Sequence, residues 1–173
     1  MRKTITLFII VLSCFSCKTS MESYASNAIK DGLYKNTLIV IPYTIGSKKY
    51  SKKLKQKLLK QYENHSNKVD FLLFEKEDYK LFLYTNSEID KKIQKIITDD
   101  KKDFLIIFKS TDVNYTYQGL RSVHYEVSGI DVASKKEIWK AKLHAKSGLG
   151  PETLVKKTAR IIYQKLEYDR IYN

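Results

Sequence analysis

From residue 37 onward, apolar and polar positions fall into a few repeating patterns. Residues 37–43, TLIVIPY, form a short apolar run closed by Pro42, as in a strand that is covered on both faces and central in its sheet. Leu54, Leu58, Leu59 and Tyr62 then follow at i, i+4, i+5 and i+8, which predicts an amphipathic helix over 50–65, entered through Gly46-Ser47. Segments 69–75 (VDFLLFE) and 79–85 (YKLFLYT) read as strands around the polar turn Glu75-Lys76-Glu77-Asp78. Ser87 caps a second helix carried by Ile89, Ile93, Ile96 and Ile97; Glu88 and Asp90 occupy its first turn, where the helix dipole favours carboxylates. DFLIIFKS, 103–110, is a second unbroken strand.

The C-terminal third is the most legible. Trp139, Ala141, Leu143 and Ala145 alternate with Lys140, Lys142 and His144, giving one dry and one wet strand face. Residues 132–136 form the turn that lays strand 125–131 against it. Pro151 suits a first helical position, and Leu154, Val155, Thr158, Ile161, Ile162 and Leu166 make the inward stripe of a last helix reaching about Ile171. The order of elements predicts one α/β domain over 37–173, with a mixed, mostly central-parallel sheet, a C-terminal antiparallel hairpin and three amphipathic helices. Residues 18–36, rich in Ser, Asn and Lys, read as a flexible tether.

The first seventeen residues follow a different logic. Met1-Arg2-Lys3 precedes the apolar run 4–15, and Ser16 stands before Cys17, the charged, apolar, small-residue order of an export signal. Twelve helical residues span roughly 18 Å, short of a hydrocarbon core of roughly 30 Å. Cys14 and Cys17 are the chain's two cysteines. A redox Cys-x-x-Cys belongs at a helix N-terminus after a strand, and this pair ends an export segment instead. A zinc site would need two more ligands, while His65, His124 and His144 are scattered.

The start resembles the lipobox of bacterial, Bacteroidetes-like lipoproteins, in which the cysteine after the cleavage point is acylated. Cys17 is then the lipid-attachment residue, residues 1–16 are the signal peptide and 17–36 the lipidated N-terminus and tether. Cys14 stands where such boxes usually carry Leu, and it is the alternative attachment site. The resemblance implies a membrane partner through the lipid anchor. With Lys18 after the cysteine, it also implies residence at the outer membrane, on its periplasmic face.

Charge changes the picture less than its size suggests. The chain carries 32 Lys and Arg against 19 Asp and Glu, a formal +13, and loss of Arg2 and Lys3 with the leader leaves +11. Such an excess favours anionic partners. Only four of the basic residues are Arg, the residue suited to bidentate phosphate recognition, so no nucleic acid is expected. Lys48, Lys49, Lys52, Lys53, Lys57 and Lys60 crowd the first helix as a candidate contact for an anionic envelope surface or polymer; a solvated face in a lysine-rich chain is the simpler reading of them.

The strand ending in Asp131, the turn with Ser134 and Lys135-Lys136, the pair Ile138-Trp139 and the terminal helix resemble small envelope lipoproteins related to the penicillin-binding-protein activator and the curli-secretion lipoproteins. That resemblance spans about 37–170. It implies a domain like the N-terminal domain of the TolB family, an envelope protein partner, and action by contact with no catalytic residues or cofactor. The chain lacks the long paired hairpins of a transmembrane barrel. Tyr115, Tyr117 and Tyr125 are a candidate partner platform, and core filling is the other reading of them. A non-enzymatic docking module leads, with an envelope glycan-processing hydrolase as the alternative.

Overall fold

In the computed structural model, residues 19–26, 34–63, 65–75, 88–116, 119–146 and 151–172 are described. In chain order these are β1 (Thr19–Ala25), β2 (Asn36–Tyr43), α1 (Lys48–Tyr62), β3 (Lys68–Glu75), α2 (Glu88–Asp99), β4 (Phe104–Thr116), β5 (Gly119–Asp131), β6 (Lys136–Lys146) and α3 (Pro151–Tyr168). The six strands make one mixed sheet ordered β1-β6-β5-β4-β2-β3, and with the three helices they form a single α/β domain. The predicted strand over 79–85, the Ser87 cap and Cys14 and Cys17 lie outside the described residues.

β2 is parallel to β3 on one side and to β4 on the other, and its unbroken apolar run is explained by cover on both faces. Ile39 and Ile41 face α1 and α3 with Phe104, Ile106 and Phe108, while Leu38 and Val40 meet Ile93 of α2 on the opposite face. The remaining pairings, β4–β5, β5–β6 and β6–β1, are antiparallel. The centre of the sheet is therefore less parallel than the sequence pattern suggests. Only two residues separate β4 from β5, too few for the crossover that parallel neighbours require.

The segment read as a flexible tether is corrected at Thr19–Ala25, which forms the edge strand β1. Met21 opposes Leu143 and Ala25 opposes Trp139, so alternate small and apolar residues of β1 extend the core while the backbone completes a ladder with β6. Tyr34 is also buried, its ring stacked on Phe104 at 4.3 Å. The last helix stops at Tyr168, three residues before Ile171, and Arg170 takes the left-handed conformation with φ 59; a left-handed residue is a common way to end a helix.

The distinctive turn after β5 is held by Asp131. Burial pushes its carboxyl up, but hydrogen bonds from Ser134 and Tyr34 outweigh that and keep it below the usual value. The Ser134 backbone N–H donates to Asp131 Oδ2 at 2.7 Å and the Tyr34 hydroxyl to Oδ1 at 3.2 Å. Two strand residues back, Gly129 has no room for a side chain: a Cβ there would sit 2.5 Å from Phe104 Cζ and 3.0 Å from Trp139 Cβ. Both rings are themselves packed, so Gly129→Ala is expected to cost about 2–3 kcal/mol of stability by overpacking. An unchanged urea midpoint would contradict this.

Candidate functional site

The lysines of α1 are arranged as the periodicity predicts. Tyr50, Leu54, Leu58 and Tyr62 are buried, and Lys48, Lys49, Lys52 and Lys60 are exposed. The face is partly neutralised. Lys53 is ion-paired with Glu152 at the start of α3, and that hydrogen bond, with the charges of Lys53, Lys57 and Lys49, draws the Glu152 carboxyl below its ordinary value. Lys48 lies 3.5 Å from Glu75. The stripe runs along a helix about 22 Å long.

The tyrosines do not form one platform. Tyr125 is 2% exposed, edge-on to Phe108 at 5.5 Å on the helix-covered face, so it offers no ring to a partner. Its alternation with Val123 and Val127 was the signal for this, since all three share one strand face. Tyr115 is 43% exposed at the tip of the β4–β5 hairpin, and Tyr117 is outside the described residues. Tyr115 leans instead toward the turn after β2: its hydroxyl is 3.4 Å from Thr44 Oγ1, and its ring would touch any Cβ placed on Gly46.

The concavity is elsewhere. No described helix covers the outer face of β5, β6 and β1, and a groove of about 580 Å³ opens there, lined by Glu22, Tyr24, Glu126, Ser128, Lys140 and Lys142 among others. Its charges are interleaved by the register: Glu22 opposes Lys142, Lys142 opposes Glu126, and Glu126 opposes Lys109 with an ion pair of 3.7 Å. The register thus sets Lys142 across the strand from both Glu22 and Glu126. Alternating charge of this kind suits contact with a polar surface of complementary pattern. Glu22 was hidden from sequence reading because β1 was.

On the next row, His124 and His144 face each other across β5 and β6 with ring centroids 3.8 Å apart. Among the described residues no three His, Cys, Asp or Glu side chains gather as a metal set. At the far end of the helix layer, Tyr163 donates to Glu167 and lies against His65 Nε2. Burial, and then Glu167, push the Tyr163 hydroxyl above its ordinary value, so this trio holds no activated nucleophile. Among the described residues, no helix is long and apolar enough to cross a membrane.

No protein-family model matches the chain, and no curated protein matches it in sequence. Among solved structures, its fold is similar to that of the PelC dodecamer from Paraburkholderia phytofirmans, with a TM-score of 0.54 and 12% identity over 88% of this chain and 98% of that one. A Leu-to-Met variant of the same dodecamer gives a TM-score of 0.54 at 10% identity, over 88% of this chain and 99% of that one. At these identities the likeness is one of fold.

Proposed function

We propose that this chain is a lipid-anchored envelope lipoprotein of the outer membrane, facing the periplasm and acting without catalysis as an accessory module in a protein assembly. The observation that carries the reading is the order Arg2-Lys3, apolar 4–15, Ser16, Cys17. Two acyl chains or more suffice for stable anchoring, at about 0.8 kcal/mol per buried methylene. The interleaved charges of the outer sheet face support contact with a polar partner surface. The dodecamer formed by the PelC protein of similar fold supports an assembly that includes further copies of this chain. The TolB-like resemblance of the 131–139 turn and terminal helix points the same way.

The test is fractionation of cells expressing the full chain or its Cys17→Ser form, with the size of the detergent-extracted protein measured by light scattering. The wild type is expected in the membrane fraction as an oligomer, and Cys17→Ser in the soluble fraction. Equal membrane association of the two forms sinks the anchor; a monomer in every detergent and at every concentration sinks the assembly.

A further inference from the structure

We propose that one end of the domain, the end bearing Ile45, Tyr115, Lys49 and Lys146, rests directly on the phospholipid surface to which Cys17 is attached. The inference builds on the lipid-anchor reading and adds an orientation to it. Its starting point is chain length. A single residue, Lys18, separates Cys17 from the first residue of β1, and two Cα steps reach at most about 7 Å. With Cys17 in the bilayer, the Thr19 end of β1 has no slack to stand away from it.

The register then fixes what else lies at that end. Thr19 opposes Ala145, Ala145 opposes Val123, and Val123 opposes Val113. Tyr115, two residues beyond Val113, therefore projects past the row in the direction that leads from Thr19 toward Cys17. It does so three strand spacings away, about 14 Å. β2 is parallel to β4, so the turn after β2 opens at the same end, and the hydroxyl contact of Tyr115 with Thr44 ties the two loops together.

Ile45 at the crest of that turn is 82% exposed, which makes it a large aliphatic side chain held out at the end from which the anchor leaves. Around it stand the amphipathic ring of Tyr115 and the exposed cations Lys48, Lys49, Arg121 and Lys146. An aliphatic tip, an interfacial aromatic and a ring of long basic side chains is the chemistry of a headgroup surface. The carboxylates at this end do not reverse it: Glu75 pairs with Lys48 and Glu152 with Lys53, and Asp112 lies beside His124 on the sheet face.

The experiment places a single labelling thiol in the acylated protein, by Ile45→Cys in one variant and by Ala133→Cys, in the turn at the opposite end, in another. Both positions are exposed, so folding should not depend on them. An environment-sensitive fluorophore is attached, and the protein is reconstituted in phosphatidylethanolamine–phosphatidylglycerol vesicles. The probe at 45 is expected to brighten severalfold, shift to the blue and be quenched by lipid-borne quenchers, while the probe at 133 reports water. Equal exposure of both probes, in protein whose mass shows acylated Cys17, overturns the orientation and leaves the anchor standing. Protein with no acyl chain overturns the anchor and this proposal with it.

Discussion

Trp139→Ala is expected to lower the stability of the domain by about 3–5 kcal/mol, the range for emptying a large aromatic site in a core. Trp139 is fully buried where β6, β1 and the end of α3 meet, and its indole Nε1 donates to Asp169 Oδ2 at 2.7 Å. The same oxygen accepts the Ser23 hydroxyl from β1, and Lys165 pairs with Oδ1 at 3.4 Å. Removing the indole leaves a cavity and takes a donor from a carboxylate that is almost wholly buried. Trp139→Phe keeps most of the volume and loses the hydrogen bond, so it should cost about 1–3 kcal/mol. Urea unfolding followed by far-UV circular dichroism measures both. Equal losses for the two variants would show that the hydrogen bond, rather than the packing, holds this corner.

Asp70→Asn should cost about 3 kcal/mol, the low end of the range for stranding a buried charge. The Lys102 side chain is 0% exposed, and among the described residues its ammonium contacts Asp70 and, at 2.7 Å, the amide oxygen of Asn36. These contacts tie the loop before β4 to the first residues of β2 and β3. The asymmetry is the informative part. The Asp70 side chain is 42% exposed, so Lys102→Met leaves a carboxylate that water can solvate and should cost no more than about 1 kcal/mol. The double variant should therefore recover most of the loss of Asp70→Asn. Additive losses in the double variant would refute the stranded-charge account.

The elements whose burial is one-sided or complete were legible in the sequence. β2 and the first half of β4 are covered on both faces and read as continuous apolar runs, and β6 alternates because one face is dry and the other wet. The three helices show the spacing their buried stripes require. What escaped reading had weaker patterns for physical reasons. β1 is an edge strand with Met21 as its one large inward residue, and Ser23 reaches the core by donating to Asp169, so polarity there did not mean solvent. The outer half of β4, from Ser110 to Thr116, faces water and carries few apolar residues; its strand character comes from pairing with β5. Tyr125 was misplaced because an isolated tyrosine suits a surface and a core equally, and its neighbours Val123 and Val127 held the answer. The groove on the outer face joins Glu22 and Lys142 through a pairing that no local pattern encodes.

These pieces combine into one picture of the molecule at a membrane. On the proposed anchor and orientation, the sheet's antiparallel half would begin at Cys17, the groove would open along the bilayer surface, and the turn at Ala133 would lie at the end away from it. A domain tethered as proposed would have little rotational freedom, which would lower the entropy lost on lateral assembly. The groove, with its alternating ammonium and carboxylate groups, is then presented sideways, where a second polar protein surface could complement it.

Everything about residence and orientation depends on the chemistry of one thiol, so the most direct measurement is the mass of the N-terminal peptide of protein purified from membranes. The account predicts a chain beginning at Cys17, with its thiol in thioether linkage to a diacylglyceryl group and its amine acylated. A chain that still begins at Met1, or one with a free thiol at Cys17 and no acyl mass at Cys14, would contradict it.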